Sequence, residues 1–112
     1  MHKIILDTDI GTDVDDALAL AVLLGSKEVD LKGITTVYGD VRLRSQIVMN
    51  LCSLADREIP TFMGNDKTIS GREVWMSGSE GKNFNDLHYF SPQFKSAVDF
   101  IIEEVTAQPG SI

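Results

Sequence analysis

Between Asp7 and Asp16 the chain reads Asp-Thr-Asp-Ile-Gly-Thr-Asp-Val-Asp-Asp, which places five carboxylates within ten residues. Carboxylates this dense repel one another unless protons or a cation offset their charge. A hard divalent cation suits an all-oxygen donor set, and the lack of His and Cys in the segment disfavours zinc. A carboxylate beside such a cation can also take a proton from a water molecule. Helix capping would explain Asp13, Asp15 or Asp16, because acids favour a helix start. It does not explain Asp7 and Asp9, whose spacing on an extended chain points both side chains the same way.

The elements that must position these residues follow from hydrophobic pattern. Residues 3–6 are apolar and stop at the acidic burst, which predicts a buried strand ending in a functional loop. Residues 17–24 are apolar on every side and end at Gly25, which predicts a helix covered on both sides. Residues 31–37 are β-branched and end near Gly39, a second strand. Residues 42–56 set Leu43, Ile47, Val48, Leu51 and Leu54 on one helical face. Residues 59–63 form a third strand, and Pro60 near its start favours a sheet edge. Residues 65–89 hold Gly71, Gly78 and Gly81 with little periodicity, the mark of a long loop that is either functional or mobile. Ser91-Pro92 then carries a cap and first-turn proline. The stripe Phe94, Ala97, Val98, Ile101, Ile102 and Val105 makes a third helix, stopped by Pro109-Gly110.

Alternation of strand and helix predicts an α/β fold: a Rossmann-like parallel sheet with flanking helices and right-handed crossovers. The 112 residues suit a single domain. The final residues, 108–112, read as a connection into a further strand, so the chain is expected to be the N-terminal part of a longer domain. An inner strand left unpaired would seek another, which predicts a homo-oligomer. With 17 acidic against 10 basic residues, a net charge of -7 and no basic run, the chain is not built for nucleic acid. No apolar stretch approaches the roughly 20 residues of a membrane span. A lone Cys52 and no signal-peptide pattern point to the cytoplasm.

Three known patterns can be set against the acidic loop. An EF-hand counted from Asp7 would need glycine and glutamate where Thr12 and Leu18 stand. A phosphatase of the haloacid dehalogenase type carries Asp-x-Asp-Gly-Thr, with Asp7 as nucleophile. Here Ile10 intervenes, and that pattern leaves Asp15-Asp16 without a role. The segment KIILDTDIGTDVDDALALA, residues 3–21, instead resembles the N-terminal signature of the inosine–uridine-preferring nucleoside hydrolases, Asp-x-Asp-Pro-Gly-x-Asp-Asp-Ala. Gly33-Ile34-Thr35-Thr36-Val37-Tyr38-Gly39 matches that family's second landmark, and the likeness covers nearly the whole chain. This chain departs from the pattern in three places. Two extra residues precede Asp15-Asp16, Ile10 replaces a proline, and Asp40 replaces an asparagine. A divergent branch is implied.

The resemblance implies a Ca2+-dependent N-ribohydrolase that splits a small-molecule ribonucleoside into ribose and free base, in purine or pyrimidine salvage. By that resemblance Asp9 is a metal ligand and the general base toward the calcium-bound water. Asp16 is a second calcium ligand and Asp7 lies beside the metal. Asp15 holds the ribose hydroxyls, and Asp40 takes the place of an asparagine near metal and ribose. The family's leaving-group histidine, where present, lies much further along, so His88 does not match it. His2 reads as a disordered terminus, and Cys52 as a small core residue. Trp75 and Met76 read either as a flap over the nucleobase or as a loop anchor. The non-catalytic alternative is a fragment that binds a cation or a partner chain.

Overall fold

The computed structural model describes residues 1–75 and 77–112. Three strands, β1 (His2–Thr8), β2 (Val29–Thr36) and β3 (Thr61–Met63), form a parallel sheet in the order β1-β2-β3. Three helices alternate with them: α1 (Asp15–Gly25), α2 (Val41–Leu54) and α3 (Ala97–Ala107). The expected α/β order is therefore present. Pro60 enters β3 at the sheet edge, where only its carbonyl is used, accepting from Ile34 N at 2.9 Å. No helix is long and apolar enough to cross a membrane among the described residues.

Each face of the sheet has its own core. On one side, Leu31 and Ile34 of β2 meet Leu20 of α1 and Ile47, Val48 and Cys52 of α2. On the other, Phe62 of β3 stacks on Phe100 of α3 with ring centroids 4.0 Å apart, beside Ala97 and Ile5. The register of β1 on β2 slips once: Ile4 pairs with Leu31 but Ile5 with Gly33, leaving Lys32 as the extra residue. The slip brings Gly33 under the Phe100 ring, where an added Cβ would lie 2.4 Å from Phe100 Cζ. Only glycine admits that contact.

Three expectations are corrected. First, α1 is not covered on both sides: Leu20 is fully buried, but Leu18 and Val22 are 63% and 66% exposed. Only the β2 and α2 side is packed, so the outward apolar residues of α1 face solvent here. Second, the third helix begins at Ala97, capped by the Ser96 hydroxyl, which accepts from Asp99 N at 3.1 Å. Ser91-Pro92 precedes an extended stretch, in which Gln93 bridges to Phe62. The start moves because Phe100 must land on Gly33. Phe94, Val98, Ile102 and Val105 then point outward, while Ala97 and Phe100 face the sheet. Third, of the expected α2 face Ile47 and Val48 are buried and Leu43 and Leu51 pack beside them, but Leu54 is exposed, and Arg44, Ser45 and Cys52 join the packed side.

Candidate active site

The three strands end side by side, and hydrogen bonds join the loops that leave them. Val37 N donates to Thr8 O, Gly64 N to Thr36 O and Tyr38 N to Asn65 O. The C-terminal edge of a parallel sheet is where open α/β proteins bind ligands. From Thr8 the chain passes through residues 9–14 into α1. Thr8 Oγ1 accepts from Ile10 N at 3.0 Å and donates to Asp16 Oδ2, fixing the turn to the helix start. Ile10 drops into the core. Gly11 adopts φ +119°, and an added Cβ would lie 3.0 Å from Ile47 Cδ1 and 3.1 Å from Glu80 Cγ. The residue capping α1 is Val14, with no side-chain cap. Asp15 and Asp16 thus occupy the first turn, near the positive end of the helix dipole.

The carboxylates form two pairs. Burial first, and then the neighbouring Asp16 carboxyl, hold Asp9 above the ordinary 3.8. Its own N–H and the Arg44 charge pull the other way without prevailing. Asp13 is raised by its hydrogen bond with Asp15 and by that residue's charge, while the same hydrogen bond lowers Asp15. Asp7 stands apart. Its Oδ1 accepts from Thr35 Oγ1 at 2.6 Å, and it lies on the side of the sheet that Ile5 shares with α3. Asp40 caps α2, its Oδ1 accepting from Leu43 N at 3.0 Å. The structure therefore unites Asp9 with Asp16 and gives Asp7 and Asp40 separate hydrogen-bonding partners.

Asp9, Thr12, Asp13, Tyr38 and Trp75 line a cleft of ≈ 220 Å³. Trp75 is exposed, but its backbone is pinned: its N–H donates to Tyr38 Oη at 2.9 Å, and that hydroxyl donates to Trp75 O at 3.1 Å. It is thus both an anchor and a wall of the cleft. Met76 lies outside the described residues. His88 is exposed on a 3₁₀ turn, Leu87–Tyr89, with its ring 4.3 Å from that of Tyr89. Cys52 is buried and free, and burial raises its thiol. A larger cavity, ≈ 410 Å³, lies between the end of α2 and residues 56–59, and none of the acidic-loop residues lines it.

Beneath the carboxylates lies a group that the sequence reading passed over. Arg44 is fully buried. Its Nη2 meets Glu80 Oε1 at 3.1 Å, and the Glu80 side chain is only 1% exposed. Burial alone would raise the Glu80 carboxyl. The N–H groups of Glu80 and Gly78 and the hydroxyls of Thr12 and Ser77 outweigh it and pull the group down to about 2. One signal was available: Arg44 stands at the i, i+3, i+4, i+8 positions of an apolar stripe with Ile47, Val48 and Cys52. An arginine there is either misplaced or paired.

The donor set around Asp9 fits a hard cation in kind. It is entirely oxygen, and two carboxylates face one another with one already held in excess of its ordinary pKa. Such a pair supplies part of the six to eight ligands that calcium takes. Among the described residues no three His, Cys, Asp or Glu side chains converge into a complete ligand cluster.

Comparison with known proteins points one way. The family model described as inosine-uridine preferring nucleoside hydrolase matches residues 4–112. A probable uridine nucleosidase 2 of Arabidopsis thaliana is 36% identical, across 98% of this chain and 37% of its own length. A non-specific ribonucleoside hydrolase of Salmonella agona is 41% identical, across 84% of this chain and 32% of its own. An inosine-uridine preferring nucleoside hydrolase of Crithidia fasciculata is 30% identical, across 87% and 31%. The chain thus spans about a third of the length of these relatives.

Proposed function

The chain belongs to the inosine-uridine preferring nucleoside hydrolase family, and from that membership we propose that it supplies the acidic part of a site that hydrolyses the N-glycosidic bond of ribonucleosides to ribose and free base. The observation that carries the reading is the Asp9–Asp16 pair at the end of β1, with Asp9 held above its ordinary pKa. Asp9 and Asp16 are the residues that would hold a divalent cation, for which we propose calcium, and Asp7, bonded to Thr35 on the other side of the sheet, would support them from outside that pair. When bound, that ion would lower the pKa of the attacking water and orient it. Asp9 serves as general base, and a raised carboxyl is the better base near neutrality. Asp15, exposed at the start of α1, offers acceptors to the ribose hydroxyls, and the free oxygen of Asp40 does so from the start of α2. The developing positive charge on the ribosyl group is stabilised by the surrounding carboxylates.

These 112 residues, about a third of the relatives' length, act as the N-terminal part of a longer hydrolase domain. We assign the substrate to the small-molecule ribonucleosides and the setting to the cytoplasm. Self-association is part of the same proposal, since among the described residues β1 lies at a sheet edge with its outer side unpaired. The test is reducing-sugar release from uridine and inosine, with and without calcium, beside phosphate release from a generic phosphomonoester. Sugar release that needs calcium supports the reading. Phosphate release without sugar release overturns it.

A further inference from the structure

The guanidinium of Arg44 touches three segments at once. Nε donates to Tyr38 O at 2.7 Å. Nη1 donates to Asp9 O at 2.6 Å, Ile10 O at 2.9 Å and Thr12 Oγ1 at 3.0 Å. Nη2 donates to Glu80 Oε1 at 3.1 Å. Glu80 spends its remaining capacity on the same neighbourhood: Oε1 accepts from Thr12 Oγ1 at 2.8 Å and Oε2 from Gly78 N at 2.7 Å. Among the described residues no buried side-chain nitrogen or oxygen is left without a partner. The rigid guanidinium fork is suited to holding several acceptors in fixed relative positions, which a lysine cannot do.

We propose that Arg44 and Glu80 are positioning residues that clamp the glycine-rich loop onto the acidic loop and so fix where the Asp9 carboxylate is presented. Three observations carry this. The carbonyls of Asp9 and Ile10 are both turned to Arg44, which sets the peptide planes on either side of Ile10. Gly11 lies directly against the Glu80 side chain, so the carboxylate-bearing side chain packs on the bare backbone of the acidic loop. Tyr38 holds φ +73°, uncommon for a residue with a Cβ, and its carbonyl is the one that Arg44 Nε holds. A buried ion pair contributes little net stability against an apolar pair of similar size. Its return here is geometric: it ties Asp9 to a loop reached only 71 residues later. The part of the inference that concerns Asp9 rests on the reading of that residue as base and ligand.

The test uses the 112-residue chain and two variants, Glu80→Gln and Arg44→Lys. The first keeps the shape and loses the charge, and the second keeps the charge and loses the fork. Amide hydrogen exchange is followed at residues 10–12, 78–81 and 34–36, at a temperature where all three chains are folded. Both variants should quicken exchange in the first two segments together, by roughly tenfold or more, with residues 34–36 unmoved. Terbium luminescence sensitised by Trp75 gives a second readout with the metal alone. It should titrate at roughly tenfold higher terbium in each variant. Quickening spread equally over residues 34–36, or confined to 78–81 with 10–12 unmoved, overturns the clamp. So does unchanged terbium affinity in both variants. If the parent chain binds no terbium, the metal reading falls alone, and the exchange pattern decides the clamp.

Discussion

Two groups of charged side chains lie one above the other at the same end of the sheet, and they are built on opposite terms. The lower group is the buried pair Arg44 and Glu80 with the half-buried Thr12, all hydrogen-bonded to one another, and its carboxyl is drawn down to about 2. The upper group, Asp9, Asp13, Asp15 and Asp16, has acids for neighbours, and both Asp9 and Asp13 are pushed above their ordinary value. Identical chemistry, a carboxylate, is held ionised in one layer and pushed toward its protonated form in the other. The deciding factor is what surrounds it: N–H and O–H donors below, and above, burial and then the Asp16 carboxyl for Asp9 and the hydrogen-bonded Asp15 carboxyl for Asp13. Breaking one partner of the lower layer should therefore cost stability, and changing the upper layer should cost activity first.

The sharpest separation comes from Asp9. Where ribose release is measurable, Asp9→Asn should lower its rate by about 100- to 10,000-fold, because the amide cannot accept the proton. The same change should leave the metal-free melting temperature equal or higher, since it removes repulsion against Asp16. A rate loss matched by unfolding would erase the distinction between the layers.

Arg44→Met should act the other way. It strands the Glu80 carboxylate among groups that exclude water and frees the carbonyls of Asp9, Ile10 and Tyr38. Removing one partner of a buried pair costs roughly 3–5 kcal/mol, to be read from denaturant unfolding of the chain. A cost below that of a surface substitution would mean that water reaches the lower layer.

These layers were unequally legible in the sequence. The acidic loop announced itself through five acids in ten residues, and the order of strands and helices followed from apolar runs and glycine stops. Arg44 left only its place on an apolar stripe and Glu80 left no mark, because they sit 36 residues apart and their meaning is their contact. The helices failed in a different way. Periodicity shows that α1 and α3 have apolar residues, but not which of them find a partner. Leu18, Val22, Val98 and Ile102 are all more than half exposed. Ser91 and Ser96 both look like caps locally, and only the stack of Phe100 on Phe62 over Gly33 selects Ser96. Asp7 and Asp9 were expected to point the same way, which requires both to lie in the strand. The strand ends at Thr8, and Asp9 turns toward α1 with its loop.

Acid should unfold the chain through the lower layer. Glu80 drops from 4.5 to about 2 on folding. A lowered carboxyl stabilises the fold above its unfolded value, and that contribution is lost as pH falls from 4.5 toward 2. Its full size is about 3 kcal/mol. Arg44 is the charge facing it. In Glu80→Gln this part of the acid limb should flatten, because the amide has no proton to take up. Unfolding free energies measured at pH values across that window decide the matter, and parallel curves for the two chains would remove Glu80 from the acid response.

The smallest effect tests the upper layer where it is most exposed. Asp13 is raised chiefly by its hydrogen bond with Asp15 and by that residue's charge, with Asp9 and Asp16 adding to it. For a raised carboxyl the sign reverses: ionisation costs the folded state more than the unfolded one, so stability declines as pH rises through the folded value. Asn at this position keeps the shape, can donate to Asp15, and carries no charge. Asp13→Asn should therefore melt slightly higher than the original chain at neutral pH and low salt. The gain should shrink as added salt screens the neighbouring carboxylates. It should vanish at acid pH, where both residues are neutral. Calcium should reverse the ranking if the upper layer gathers around an ion, because the lost charge then weakens a site that stabilises the folded state by mass action. A lower melting temperature for Asp13→Asn in metal-free buffer at low salt would show that these acids stabilise the start of α1 more than they repel one another.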